Sequence, residues 1–256
     1  MTTDRPMASA DRRDGVAAGV LFLVTEVAAV AGVLLYRPVL GSADYVLGAG
    51  ADGRVLLGAL CEVVLVLAVA GTGFMLFPVI RRQHEGLALG YVCVRLLEAA
   101  FILLGLVSLL AVVTLRRDVS AAHGEGAASY AAAARALVAV HDWTFLLGPN
   151  LILGVNTLLL AALVHRSGAV PRAITLLGMV GGPLITASAV AVQFGLYGQL
   201  STAGKLAALP VFAWEVSFAV WLLARGFRGT APAAVLPRPA QTHLRPGPRA
   251  TAGLTD

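Results

Sequence analysis

Ionisable and amide side chains lie inside long apolar stretches of this chain, where a charged group is costly and usually has a partner or a task. They form a candidate buried polar site: Glu26, Glu62, Arg95, Glu98, His141, Asp142, Asn156 and Glu215. Carboxyl groups in an apolar interior can hold a cation, an amine or a proton. The set therefore predicts either binding of a small ligand or polar contacts that only join helices.

Five acids and one arginine make up the charged part of this set. At roughly 2.5 to 3.5 kcal/mol for each charge at a helix centre, six lipid-facing charges would cost about 15 to 20 kcal/mol. We therefore expect all of them to face the protein interior. Arg95 and Glu98 are three residues apart on one helix face, so they are predicted to form a structural ion pair.

The other acids, Glu26, Glu62, Asp142 and Glu215, have no cation of their own at similar depth. Four neighbouring carboxylates cannot all stay ionised in a medium of low dielectric constant. Some of them are protonated, or one shares Arg95, or a bound cation or amine completes the site. Protonated acids can also act simply as hydrogen-bond donors between helices. We predict that the four side chains converge and that at least one is protonated near neutral pH.

A dense polar patch lies between His141 and Asn156 in the fourth apolar run. Within it, Pro149 leaves the Phe145 carbonyl without its helical donor, which a membrane protein tolerates where protein or water supplies another. Such a kink can line a cavity, and it can equally be packing geometry. His141 has no second histidine at membrane depth, so a bis-histidine haem is not predicted. We predict no metal and no other cofactor.

Membrane-spanning helices must position these side chains. The chain is 58% hydrophobic and 13% charged, against roughly 25% charged in soluble domains. Six apolar runs are long enough to cross a bilayer: 15–36, 55–80, 87–115, 136–164, 173–197 and 206–224. We predict an all-α transmembrane bundle with short loops over residues 15–228, a polar tail over residues 1–14 and a disordered tail over residues 229–256.

Lysine and arginine are distributed unevenly between the two sides of such a bundle. The side with both tails carries twelve of them and the other side six. Because positively charged loops favour the cytoplasm, both termini are predicted to be cytoplasmic, in a multi-pass protein of the cell membrane. The net charge of +5 thus reflects topology, and no nucleic-acid partner is predicted.

Several short motifs follow one another along the apolar part of the chain. They are Leu76-Phe77-Pro78-Val79, Arg95-x-x-Glu98-Ala99, His141-Asp142-Trp143-Thr144-Phe145, Val170-Pro171-Arg172, Gly181-Gly182-Pro183 and Trp214-Glu215. With these motifs, residues 15–228 resemble a bacterial family of multi-pass membrane proteins, domain-of-unknown-function family 4386. The resemblance implies a membrane fold with six or seven spans, and no established activity comes with it.

Three functions are compatible with these patterns, with the lipid bilayer as a partner in each and the oligomeric state open. A carrier would bind a small cation, a proton or a small molecule at the buried acids. A non-catalytic accessory or structural membrane protein would use the same residues only to fix helix packing. An intramembrane enzyme is less favoured, because no nucleophile or metal triad is evident. A water-accessible cavity reaching Glu62, Glu98 and Asp142 would favour a ligand site.

Overall fold

The computed structural model describes residues 4–41, 45–48, 52–121 and 126–227, which are almost entirely helical. The α-helices are α1 (Asp4–Leu35), α2 (Arg37–Leu40), α3 (Asp52–Ile80), α4 (Glu85–Ala121), α5 (Ala127–Leu146), α6 (Leu153–Ser167), α7 (Arg172–Gln193) and α8 (Thr202–Arg225). A 3-10 turn spans Tyr45–Leu47, and a π-helical segment, Leu147–Ile152, joins α5 to α6. The described residues contain no strand, so the predicted all-α fold is confirmed. The predicted C-terminal tail, 229–256, lies outside the described residues.

Six stretches of the described chain are long and apolar enough to cross a membrane. They are Arg12–Leu35, Asp52–Ile80, Glu85–Ala121, Ala127–Ser167, Arg172–Gln193 and Thr202–Arg225. Their number and order agree with the six predicted runs, and the protein is a multi-pass membrane protein. The N-terminal tail differs in one respect, because α1 already begins at Asp4. Pro6 falls in the first turn of this helix, where its missing N–H costs no helical hydrogen bond.

Consecutive spans pack against one another, and α8 returns to pack against α1. We call the side with residue 12, the turn 81–84, the loop 168–171 and residue 227 the N-terminal face, and the other side the opposite face. Near the N-terminal face α1 and α8 touch closely, since a Cβ added at Gly19 would lie 2.9 Å from the Ala219 carbonyl oxygen. An apolar core that includes Phe22, Leu76 and Phe218 fills this half of the bundle.

The opposite face is tied together by polar contacts at the start of α3. The Tyr45 hydroxyl donates to Asp52 Oδ1 at 2.9 Å, and Arg116 of α4 forms an ion pair with the same carboxylate. Burial, with the Asp52 carboxylate beside it, raises the pKa of Tyr45 to about 12. These contacts hold the turn that follows α2 against the ends of α3 and α4.

Candidate functional site

One arginine, Arg95 of α4, is shared among several helices at the centre of the bundle. Its Nε donates to Thr72 Oγ1 of α3 at 2.9 Å, and its Nη1 donates to Glu98 Oε2 at 3.0 Å. Its Nη2 lies 3.8 Å from Glu215 Oε1 of α8, and its Cζ lies 5.3 Å from the ring centroid of Phe22 in α1. Arg95 is only 2% exposed. The structure thus contains the Arg95–Glu98 ion pair that the spacing predicts.

Asn156 of α6 supports the same ion pair from behind. Its Nδ2 donates to Glu98 Oε2 at 2.6 Å, so this carboxylate oxygen accepts from both Arg95 and Asn156. Asn156 is 1% exposed, and its Oδ1 has no hydrogen-bond partner in the described part of the chain. The amide therefore acts as a donor that fixes Glu98.

Glu26 of α1 and Glu215 of α8 form a carboxyl pair beside Arg95. Their side chains are within hydrogen-bonding contact, and Glu215 is 7% exposed. Two fully ionised carboxylates repel each other and have no proton to donate. A hydrogen bond between these groups therefore needs one proton on the pair.

A second polar group lies closer to the opposite face. The Tyr36 hydroxyl donates to Glu62 Oε2 at 2.9 Å, which joins the end of α1 to α3. His141 of α5 packs edge-on against Tyr36 with ring centroids 6.0 Å apart, and it stacks on Phe145 at 6.1 Å. This second group, formed by Glu62, Tyr36 and His141, thus lies between Arg95 and the opposite face.

Both polar groups lie along one cavity of about 390 Å³. Its polar lining includes Thr25, Glu26, Glu62, Arg95, Glu98, His141, Asn150 and Glu215, whereas its walls include Ala29, Val30, Val33, Leu34, Ile102, Leu153 and Phe212. Residues 199–200 and Lys205, at the opposite face, also line it. The cavity therefore runs from the opposite face to Arg95 and ends above the packed half of the bundle.

Six of the eight predicted residues line this cavity, namely Glu26, Glu62, Arg95, Glu98, His141 and Glu215, and Asn156 contacts Glu98 behind it. Asp142 departs from the expected inward orientation and convergence. Its side chain is 66% exposed, and Nδ1 of His141 lies 3.5 Å away. Successive residues on an α-helix point about 100° apart, so His141 and Asp142 cannot both face the cavity.

Reasoning from the sequence missed two hydrogen-bond partners of the residues that line the cavity. Thr72 accepts from Arg95, and Tyr36 donates to Glu62. Thr72 is a hydroxyl between Gly71 and Gly73 in an apolar run, which is a weak signal for a close helix contact. Tyr36 stands at the end of its run, where a tyrosine is usually an interface residue, so nothing in the sequence indicated its pairing.

The structure also shows how the backbone at Pro149 is satisfied. The π-helical segment contains this proline, and Asn150 Nδ2 donates to the Phe145 carbonyl at 3.1 Å. A side chain thus replaces the N–H that proline lacks. Phe145, Pro149 and Asn150 all line the cavity, so the irregular segment forms part of its wall.

Within the described residues, no group of three or more His, Cys, Asp or Glu side chains is arranged to hold a metal ion. The sequence model of a family described as Domain of unknown function (DUF4386) matches residues 17–226. No curated protein and no solved structure matches the chain.

Proposed function

The chain belongs to the DUF4386 family, and we propose that it is a membrane carrier that binds a small organic cation in its interior cavity. We call the deepest part of the cavity, around Arg95, its floor. The proposal rests on the arrangement there, where Glu26, Glu98 and Glu215 surround the single guanidinium of Arg95. We further propose that it resides in the cell membrane with both termini in the cytoplasm.

The charge of the cavity floor favours a cationic ligand. Glu98 and Arg95 neutralise each other at 3.0 Å. We propose that the neighbouring carboxyl groups of Glu26 and Glu215 share one proton, and such a pair retains one negative charge. An uncompensated charge is costly in a low-dielectric interior, and a ligand with one positive charge removes that cost.

The shape of the cavity favours a ligand with an apolar body. A volume of about 390 Å³ lies within the range of roughly 300 to 1,000 Å³ that is usual for small-molecule sites. Valine, leucine, isoleucine and phenylalanine side chains form most of the walls above the polar floor. The packed half of the bundle beneath Arg95 closes the cavity toward the N-terminal face, as a carrier needs in one of its states.

The contacts of Arg95 favour a second candidate, an accessory protein whose polar residues only fix helix packing. The guanidinium already has partners on α3, α4 and α8, so it needs no ligand. This interpretation gives no role to the space above the floor or to the charge on Glu26 and Glu215. Ligand binding separates the two candidates.

The test uses two ions of the same shape and opposite charge, tetraphenylphosphonium and tetraphenylborate, with smaller benzyltrimethylammonium as a third probe. Each is added to the purified protein in detergent, and the thermal midpoint is measured. We expect the cations to raise the midpoint and the anion to leave it unchanged. The double substitution Glu26→Gln/Glu215→Gln removes the negative charge of the pair and should weaken cation binding at least tenfold.

Asp142→Asn is the matched control, because it removes one acid from a span without touching the cavity. It should bind the cations as the unaltered protein does. Equal shifts with both tetraphenyl ions, or cation binding that is unchanged in Glu26→Gln/Glu215→Gln, would show that the negative charge of the pair does not select the ligand. Either result would favour the accessory protein.

A further inference from the structure

A second concave surface lies at the N-terminal face, away from the cavity. The loop between α6 and α7 folds toward α8, where Trp221 Nε1 donates to the Ala169 carbonyl at 3.3 Å. This arrangement leaves a groove of about 560 Å³, lined by residues 165–172 and Trp221. We call it the basic groove.

Arginine side chains dominate the charge of the basic groove. Arg166 and Arg172 line it, and Arg225 stacks on Trp221 with its Cζ 5.5 Å from the ring centroid. All three are exposed, and among the described residues none of them has a carboxylate within ion-pair distance. Three guanidinium groups around one concave surface therefore carry an uncompensated positive charge.

We propose that the basic groove binds the phosphate of an anionic phospholipid from the leaflet at the N-terminal face. Guanidinium groups bind phosphate oxygens with paired, charge-assisted hydrogen bonds, and basic pockets between spans are suited to anionic head groups. Trp221 suits the same depth, since tryptophan favours the boundary between head groups and hydrocarbon. His165 is not needed as a phosphate ligand, because its Nδ1 is 2.8 Å from Thr175 Oγ1.

The surface next to the groove favours a lipid over free phosphate. Arg172, Leu176 and Val180 follow one another at four-residue steps, so they lie along one face of α7. Leu176 is 50% exposed and Val180 is 62% exposed. An exposed apolar face thus begins one helical turn below Arg172, where acyl chains would lie if the phosphate were in the groove.

Lipid binding by the full-length protein in detergent tests the proposal by native mass spectrometry. The probes are phosphatidylglycerol and phosphatidylcholine with identical acyl chains, and inorganic phosphate is added as a competitor. We expect phosphatidylglycerol to bind at least tenfold more tightly than phosphatidylcholine. The double substitution Arg166→Gln/Arg172→Gln should abolish this preference without changing the unfolding temperature of the lipid-free protein.

The matched control is Arg37→Gln/Arg135→Gln, which removes two exposed arginines at the opposite end of the spans. It should keep the preference for phosphatidylglycerol within twofold. Equal binding of the two lipids would overturn the proposal, and so would a preference that survives Arg166→Gln/Arg172→Gln. Inorganic phosphate that displaces the lipid at equal concentration would instead identify a site for free anions.

Discussion

Asn156 of α6 donates a hydrogen bond of 2.6 Å to Glu98 of α4, and both side chains are almost fully buried. The oxygen that accepts this bond also accepts from Arg95. The carboxylate is therefore held from two sides, and its position at the cavity floor is set before any ligand arrives. This bond also joins a helix that precedes the π-helical segment, α4, to one that follows it, α6.

Asn156→Ala should destabilise the protein by about 1.5 to 3 kcal/mol, because a buried hydrogen bond to a charged group is lost. Thermal or denaturant unfolding in detergent measures the change. Ser108→Ala is the control, since the Ser108 hydroxyl donates only to the Gly105 carbonyl of its own helix. Equal losses of stability in the two variants would mean that the hydrogen bond between α6 and α4 stabilises the protein no more than a hydrogen bond within one helix.

Glu98→Gln should cost about 3 kcal/mol or more, because it leaves the buried Arg95 without its nearest anion. The double variant Arg95→Leu/Glu98→Gln should lose less stability than Glu98→Gln alone, since it removes both charges of the pair. A double-mutant cycle based on the unfolding free energies measures the coupling between Arg95 and Glu98. The contact of Arg95 with Glu215 limits the recovery, so a small residual loss is expected. Strictly additive losses would show that the pair is not coupled.

The fold follows from the sequence because run length and apolar composition alone determine which segments can cross a bilayer. The Arg95–Glu98 contact was equally predictable, because a three-residue step places both side chains on one helix face. The outward orientation of Asp142 was not predictable from the sequence. Acids in a membrane span are expected to face inward, but this rule does not say which of two adjacent polar residues turns outward.

Partners on other helices were the least predictable part of the site. Thr72 and Tyr36 lie 23 and 26 residues from Arg95 and Glu62, respectively. Their pairing depends on the rotation of α3 relative to α1 and α4, which small residues such as Gly73 permit by close packing. A single sequence indicates the depth of each residue but leaves these rotations open.

Asn150→Leu should destabilise the protein by about 1 to 3 kcal/mol, because the Phe145 carbonyl loses its donor in an apolar setting. In a Pro149→Ala background the same substitution should cost much less, since alanine restores an N–H that can reach the carbonyl four residues earlier. The unfolding free energies of the unaltered protein, the two single variants and the double variant give the coupling. An unchanged cost of Asn150→Leu in both backgrounds would contradict this role of the amide.

Single cysteines on the two faces should report the orientation of the bundle. In a background with Cys61→Ala and Cys93→Ala, we expect Gly198→Cys to react with a membrane-impermeant maleimide on intact cells. His84→Cys should react only after permeabilisation, because basic loops favour the cytoplasm. Both positions are exposed, so access to the reagent is limited by the membrane alone. The reverse labelling pattern would place the termini outside.

The closeness of the Glu26 and Glu215 carboxyl groups should be visible by spectroscopy. Because two ionised carboxylates cannot hydrogen-bond, we expect one protonated carboxyl group on this pair at neutral pH. Infrared spectroscopy should detect its carbonyl stretch. Glu26→Gln and Glu215→Gln should each remove that band, since glutamine supplies an N–H donor itself, whereas Asp142→Asn should leave it in place.

The same proton gives the sign of the pH dependence of ligand binding. Arg95 and Glu98 face the pair from α4, and the described parts of α3 and α5 bring Glu62 and His141 to the same cavity. Arg95 stays charged throughout, so acidification adds protons to the carboxyl groups and removes the negative charge that attracts a cation. Affinity for tetraphenylphosphonium should therefore rise from acidic to neutral pH, and Glu26→Gln/Glu215→Gln, which removes both carboxyl groups, should flatten this rise. Affinity that falls over this range, or that rises equally in Glu26→Gln/Glu215→Gln, would exclude the pair as the proton-linked group.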